Sequence, residues 1–468
     1  MARNDTIIKI LPGERFTPYG LARKLNAIAI LESSSFHKGR ERYSLLVVEE
    51  AFRLEQQGGE IVLASGAKRR VVRSAAKDIL DVLLYFANQH SAPHQDFPFP
   101  AGGIGFLSYE FAAKCDTIRI THKTDALSLP DACFLFGHIY VVFDHYTDLI
   151  YLIGLNYKEH VIDLERALTA TEAKINDLNF NYMQTDERTY AATVVKGSDD
   201  RQAYENGVAE IRDEIIKGNL LQAVLSRRVE ISTDLPAFEA YRRLRTANPS
   251  PYLFYLNFGD FELFGSSPEV HVKLKDDRVT IRPIAGTRRR GGDRYEDKRL
   301  EAELLADEKE LAEHLMLVDL ARNDIGRVCV PGSVTLTADR IVERYSHVMH
   351  IVSQVEGRLR NGQTGADLIR ATFPAGTVSG APKIRAIEVL DRIEPVSRRF
   401  YAGLVGYMEP GGSLDTCITI RSACKRGRSL VLQAGAGIVY DSRPEREYEE
   451  TQEKLAALAR AAGVEVDL

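Results

Sequence analysis

Gln433-Ala434-Gly435-Ala436-Gly437-Ile438-Val439-Tyr440-Asp441-Ser442 runs directly into Arg443-Pro444-Glu445-Arg446-Glu447-Tyr448-Glu449-Glu450-Thr451-Gln452-Glu453-Lys454. The first half is rich in small residues, so its backbone can approach a ligand closely and offer N–H groups to an anion. The second half reads as the start of a helix. Ser442 and Glu445 have capping-box spacing, and Pro444 suits the first turn. On that helix Glu447, Glu450 and Lys454 fall at i, i+3 and i+7, on one face. Such a face can hold a divalent cation and a carboxylate-bearing substrate together. Taken alone, a solvated and salt-bridged surface is the simpler reading.

Working outward, 468 residues exceed one ordinary core, and length alone gives about three structural units. Lys+Arg of 61 against Asp+Glu of 66 leaves −5, which argues against wholesale nucleic-acid binding. Residues 1–6 lack the apolar core of a signal peptide, and the most apolar run, 79–87, is interrupted by Asp81 and too short to span a bilayer. The five cysteines contain no CxxC pair, as suits buried thiols in a reducing compartment. A cytoplasmic protein without membrane or nucleic-acid partners is expected.

The N-terminal third reads as mixed α and β, with strands over 27–31 and 43–48, a helix over 74–87, and a hairpin of 133–143 with 149–155. The weakly patterned stretch 179–196 is the expected domain boundary, giving domains 1–185 and 186–468. Beyond it, Ser198 to Asp200 cap a helix closed by Lys217-Gly218. A strand over 220–231 and hairpins turning at Gly259-Asp260 and Asp276-Asp277 follow. Then come one long helix over 300–321, helices at 366–373 and 383–391, and strands at 401–408, 416–423 and 430–433. Strands and helices are grouped rather than alternating, which predicts an α+β fold.

Several residues carry chemistry. Glu310 and Glu313 lie one turn apart with His314 beside them, so two helices each present paired carboxylates. Mg²⁺ is commonly held by one or two carboxylates plus an anionic substrate. A solvated charged helix explains either pair viewed separately. Gly376-Thr377-Val378-Ser379-Gly380 is either an anion-binding loop ahead of a helix or a tight turn. His350 in its apolar run reads as a core residue as readily as a base. Arg421, a charge inside an apolar strand, is costly unless it meets an anion. Arg288-Arg289-Arg290 reads as a solvated turn.

Pro283-Ile284-Ala285-Gly286-Thr287, Asp307 through Glu313-His314 to Asn323-Asp324, Gly376 through Lys383, and the opening stretch together resemble the chorismate-utilising enzyme family. The likeness covers essentially all of 198–460, and Leu31-Glu32-Ser33 and Gly102-Gly103-Ile104-Gly105 extend it. It implies a large antiparallel β-sandwich flanked by helices, with the active site in a cleft between its halves. It further implies Glu313 and Glu450 as Mg²⁺ ligands, with Glu310 and Glu447 orienting water and substrate. Tyr401, Arg421, Lys454 and the Gly435-Ala436-Gly437 backbone would grip the enolpyruvyl carboxylate of chorismate, with Thr377 in the same wall. Glu269 matches the acid that protonates the departing C4 hydroxyl, and His350 the residue linked to proton removal and loss of pyruvate.

Two positions separate members of the family. Water-adding members carry a lysine where this chain has Gln222, and many members that aminate at C4 carry a nucleophilic lysine where it has Ala285. The implied reaction is Mg²⁺-dependent addition of ammonia at C2, then elimination of pyruvate to give anthranilate. C4 amination, the folate-pathway aminodeoxychorismate reaction, is the alternative. No cysteine stands in a Gly-x-Cys-x-Gly setting, so ammonia from glutamine would need a separate glutamine amidotransferase subunit. The resemblance also implies feedback inhibition by tryptophan, bound by Glu32 and Ser33 of the N-terminal domain and by Asn248, Pro249, Ser250 and Tyr252 of the catalytic one. Glu32 can pair with an α-ammonium and Ser33 can hydrogen-bond.

Overall fold

Two long strands carry the architecture. Tyr43–Gln57 and Ala132–Asp144 pair antiparallel along nearly their whole length, and the second is buried at every residue. A continuous apolar run of that kind must have protein on both faces. The pairing register shifts three times between Val47 and Phe52. Bulges there raise the local twist, so one end of the pair feeds one sheet and the other end a second. The computed structural model describes residues 5–33, 42–73, 75–91, 97–121, 123, 127–181, 188–197, 200–345 and 348–464.

The first sheet passes from the long pair through Ala29–Glu32 to Tyr252–Asn257, Glu262–Ser267, Ser422–Arg426, Ser429–Ile438 and Gln222–Thr233. The second passes through Ile104–Leu107 to Leu404–Met408, Leu414–Ile418, Val270–Lys275, Arg278–Ile281 and Val348–Arg358. Every pairing is antiparallel, and strands from both sides of residue 185 share both sheets. The inner faces meet in an apolar core. Phe106 of the second sheet, for example, sets its ring edge-on to Phe258 and Phe261 in the hairpin turn of the first, at 5.4 and 5.9 Å. Helices Ala237–Ala247 and Pro444–Ala461 cover the outer face of the first sheet. This is the α+β, helix-flanked antiparallel sandwich expected from the sequence.

Most predicted elements are present, and the departures have physical reasons. The helix expected over 300–321 is two, Arg294–Ala306 and Glu308–Gly326. Asp307 breaks it by accepting from Lys309 N and Glu310 N, which makes it the N-cap of the second helix. The strand expected over 416–423 is also two, because Leu414–Ile418 lies in the second sheet and Ser422–Arg426 in the first. Ser442 and Glu445 form no capping box. Arg443 is the N-cap, without a side-chain bond, and Ser442 Oγ accepts instead from Val439 N at 3.0 Å. The strand expected over 430–433 is longer, and the small-residue stretch 433–438 forms its end in Ser429–Ile438. Ser198 and Asp199 of the expected cap lie outside the described residues, whereas Asp200 is the N-cap of Arg201–Ile216.

Candidate active site

The chain steps between the sheets at Pro268-Glu269 and again at Thr419-Ile420-Arg421, and two of the predicted functional side chains sit at these steps. Arg421 takes φ +50, and nearby Arg399 and Ala402 take +55 and +59. Non-glycine residues held in this region cost about 1 kcal/mol or more each, and they collect where geometry is imposed for function. The Arg421 carbonyl accepts from Ser266 N at 3.0 Å, which pins one step to the other.

The acids converge from the two helices foreseen. Glu313 is largely buried, and its carboxyl is raised by desolvation, then by the nearby charges of Glu310 and Glu450. Gln222 Nε2 donates to Glu313 Oε1 at 3.4 Å. On the other helix Lys454 Nζ lies 2.7 Å from Glu450 Oε1 and donates to the Gly435 carbonyl at 2.8 Å. Burial raises the Glu447 carboxyl, the Ser442 hydroxyl opposes the shift, and Glu450 reinforces it. Glu310 is tied at 3.2 Å to Arg288, which also holds Asp307 at 2.7 Å. The arginine run read as a solvated turn is therefore partly internal bracing, with Arg290 paired to Asp297 in the same way.

Among the described residues no group of three or more His, Cys, Asp or Glu lies close enough to cage a metal ion. The arrangement suits Mg²⁺ nonetheless. Burial, then the charge of Glu310 and, more weakly, that of Glu450 raise the Glu313 carboxyl, and a cation would relieve that crowding of acids; Mg²⁺ takes one or two carboxylates plus waters and an anionic substrate.

Beside the acids is a partly buried cation, Arg421. Burial holds the Arg421 guanidinium below its ordinary pKa, with Tyr401 and Glu450 opposing. Tyr401 is buried against Gly435, where an added Cβ would lie 2.9 Å from its hydroxyl and 2.8 Å from the Leu225 carbonyl. At Gly437 a Cβ would come within 2.6 Å of Gln222 Nε2. The glycines are thus spacing for Tyr401 and Gln222 inside a ladder. His350 Nδ1 lies 3.1 Å from the Gly286 carbonyl and 3.0 Å from Thr287 Oγ1. A carbonyl only accepts, so Nδ1 carries the proton and Nε2 the lone pair. Burial lowers the His350 pKa, which keeps the ring neutral.

Glu269 is buried, and desolvation pushes its carboxyl up to about 7, with Thr377 and Lys454 opposing. The Thr377 hydroxyl bears on that carboxyl but closes no hydrogen bond. Ala285 is buried in Ile284–Arg289 opposite Ile351.

The residues assigned to an effector lie elsewhere. Leu31, Glu32 and Ser33 line a cavity between the sheets with Tyr252, Tyr407 and Asp415, and Tyr252 donates to Asp415 at 2.9 Å. Glu32 is not open to an ammonium group. Its carboxylate accepts from Tyr241 at 2.6 Å and pairs with Arg245 at 2.8 Å. The Ser33 hydroxyl is buried without a partner among the described residues. Asn248 bonds Ser266 through side chain and carbonyl, and Pro249 lines a neighbouring cavity.

Sequence reading missed the support under Tyr401. Arg398 is fully buried, pairs with Glu394 at 2.6 Å, donates to the Val224 and Val378 carbonyls, and sits 5.8 Å from the Tyr401 ring centroid. The i, i+4 spacing of Glu394 and Arg398 was the available signal, but it is the spacing of any surface pair.

A partly buried arginine, carboxylates from two helices and a buried acid raised to about 7 make a site suited to an anionic ligand and acid catalysis, set on a helix-flanked β-sandwich. The chain belongs to the chorismate binding enzyme family, whose pattern matches residues 37–460. It is 61% identical over 464 residues to anthranilate synthase component 1 of Spirochaeta aurantia, covering 99% of this chain and 96% of that one. The protein of the same name from Pseudomonas putida is 43% identical over 376 residues, 78% of this chain and 76% of that one. The crystal structure of anthranilate synthase component I from Streptococcus pneumoniae TIGR4 superposes with a TM-score of 0.79 at 35% identity, covering 96% and 99%. The menaquinone-specific isochorismate synthase of Escherichia coli shares the fold, with a TM-score of 0.72 at 20% identity over 97% and 94% of the chains.

Proposed function

We propose that this chain is the chorismate-binding component of an anthranilate synthase, adding ammonia at C2 of chorismate and eliminating pyruvate, at the entry to tryptophan biosynthesis. The observation that carries this reading is the 61% identity over 99% of the chain to a protein of that name. Gln222 and Ala285 agree with it. An amide cannot activate water and a methyl group cannot attack a ring, whereas ammonia is already a nucleophile.

Arg421, with Tyr401 and Lys454 beside it, meets the enolpyruvyl carboxylate. Glu313 and Glu450 would hold Mg²⁺, which when bound neutralises a substrate carboxylate and fixes the ring, while Glu310 and Glu447 orient what lies between. Glu269 enters protonated and gives its proton to the departing C4 hydroxyl. His350 Nε2 then takes a ring proton as the enolpyruvyl group leaves and the ring becomes aromatic. The purified chain with chorismate, Mg²⁺ and ammonium should produce fluorescent anthranilate. Glutamine should replace ammonium only when a separate amidotransferase subunit is added, and glutamine turnover by this chain alone would contradict that division. Cys133, Cys329 and Cys417 are free and buried, as suits the cytoplasm, and no described helix is long and apolar enough to cross a membrane.

Tryptophan is the proposed inhibitor, bound in the cavity beside Ser33 and Tyr252, with residues 1–185 supplying one wall and 186–468 the other. Glu32 serves there by fixing the strand end through Arg245 and Tyr241, and the Ser33 hydroxyl is the group offered to the ligand. Ser33→Leu should weaken inhibition roughly tenfold or more with unchanged turnover, because it removes a hydrogen bond and fills the cavity. Glu32→Ala should weaken it through loss of the strand end. Equal sensitivity of both variants and the parent would move the effector elsewhere.

A further inference from the structure

A general acid that gives up a proton in each turnover must recover one, and Glu269 is buried. A cavity of about 30 Å³ is lined by Glu269 and Thr377 together with His271, Thr372 and Asp324. That is room for about two waters. Two polar atoms on its lining residues lack partners among the described residues, Thr377 Oγ1 and His271 Nε2. His271 Nδ1 lies 3.1 Å from Thr416 Oγ1, and its other nitrogen approaches the Thr372 carbonyl without closing a hydrogen bond. Asp324 pairs with Lys383 at 2.7 Å, and these two side chains keep 13% and 15% of their surface in contact with solvent. Lys383 Nζ also donates to the Thr372 carbonyl at 3.3 Å. The cavity therefore joins a buried carboxyl to an ion pair that reaches the outside.

We propose that this cavity is water-filled and is the route by which Glu269 regains its proton, with His271 and Thr377 positioning the water and Asp324–Lys383 forming its mouth. The inference rests on the general-acid role given to Glu269 above. A proton enters at the mouth, passes along the water, and arrives on the carboxylate oxygen that released one to the departing hydroxyl. No electron pair changes owner, and the proton lost to the leaving water is replaced from solvent. His271 acts by position. Burial holds its pKa down to about 3, so the ring stays neutral and offers the water a fixed hydrogen-bonding atom. Apolar residues, among them Leu317 and Leu320, line the rest and leave the water few other partners.

His271→Leu tests the route with little cost elsewhere, since Thr416 Oγ1 keeps its bonds to Val272 N and O. Turnover should fall by about tenfold as reprotonation becomes limiting, with KM for chorismate falling in proportion so that kcat/KM is unchanged, and with a larger solvent deuterium isotope effect on kcat. His271→Gln, which keeps a polar group at the cavity, should restore most of the rate, an outcome that lost packing alone would not produce. Ala321→Val, which narrows the cavity from the helix side, should act in the same sense as His271→Leu. Parental kcat and isotope effect in both cavity variants would overturn the proposal. Glu269→Gln run alongside separates the two layers. If it keeps full turnover, the acid assignment falls and the route with it; if it is inactive while the cavity variants are silent, only the route falls.

Discussion

Glu269→Gln should lose turnover by about a thousandfold while the folded protein becomes more stable at alkaline pH. The two effects share one cause. Desolvation raises the carboxyl from 4.5 to about 7, so between those values the folded state holds a proton that the unfolded chain has released. Stability therefore falls as pH rises through that window, and above it the buried carboxylate costs up to about 3 kcal/mol. Glutamine removes that cost and removes the acid. Denaturant unfolding of both proteins at pH 5 and pH 8 checks the first part, and the variant should gain stability relative to the parent between them. For catalysis, kcat/KM at constant free ammonia should decline above about pH 7 in the parent as Glu269 ionises. A variant that stays active, or a parent whose rate is flat across pH 7, would take Glu269 out of the acid role.

Glu450→Gln should abolish Mg²⁺-dependent turnover, by about a thousandfold or more, because one of two anionic oxygen ligands is replaced by a weak neutral one. The fold should survive. Glu450 is partly exposed and its ion pair is with Lys454 on its own helix, so melting should move little. Raising Mg²⁺ should recover part of the rate if the loss is one of ion affinity. Glu313→Gln should behave alike, and there the neutral side chain also removes the repulsion from Glu310 and Glu450. Turnover unchanged in Glu450→Gln would show that this carboxylate does not hold the ion.

Some of this structure was legible in the sequence and some was not, for identifiable reasons. The hairpins turning at Gly259-Asp260 and Asp276-Asp277 lie where predicted, because turn residues between apolar runs leave little choice. The carboxylate pairs were readable as one-turn spacings on helices Glu308–Gly326 and Pro444–Ala461. That Glu450 comes close enough to act on Glu313 was not, since nothing local says which strands lie between the two helices. The strand expected over 430–433 runs on to Ile438, an extension hidden because glycine and alanine carry no strand periodicity. Its partner Gln222–Thr233 supplies the reason it is a strand. Asp307 looked like one more helical charge, and only its bonds to Lys309 N and Glu310 N reveal a cap. Arg421 was marked as an oddity in an apolar run, but the step between sheets that gives it a left-handed backbone is a tertiary fact. Glu32 illustrates the opposite hazard: the residue type was right for an ammonium, and the carboxylate is already taken by Arg245 and Tyr241.

The position at which nitrogen enters the ring distinguishes the two reactions. The chain should be given chorismate, Mg²⁺ and ¹⁵N-ammonium, and the product followed by NMR. The expected product is aromatic, carries ¹⁵N on the carbon adjacent to that bearing the carboxylate, and forms together with an equal amount of pyruvate. A non-aromatic product with ¹⁵N at C4 and no release of pyruvate would contradict the assignment and make the chain an aminodeoxychorismate-forming enzyme instead.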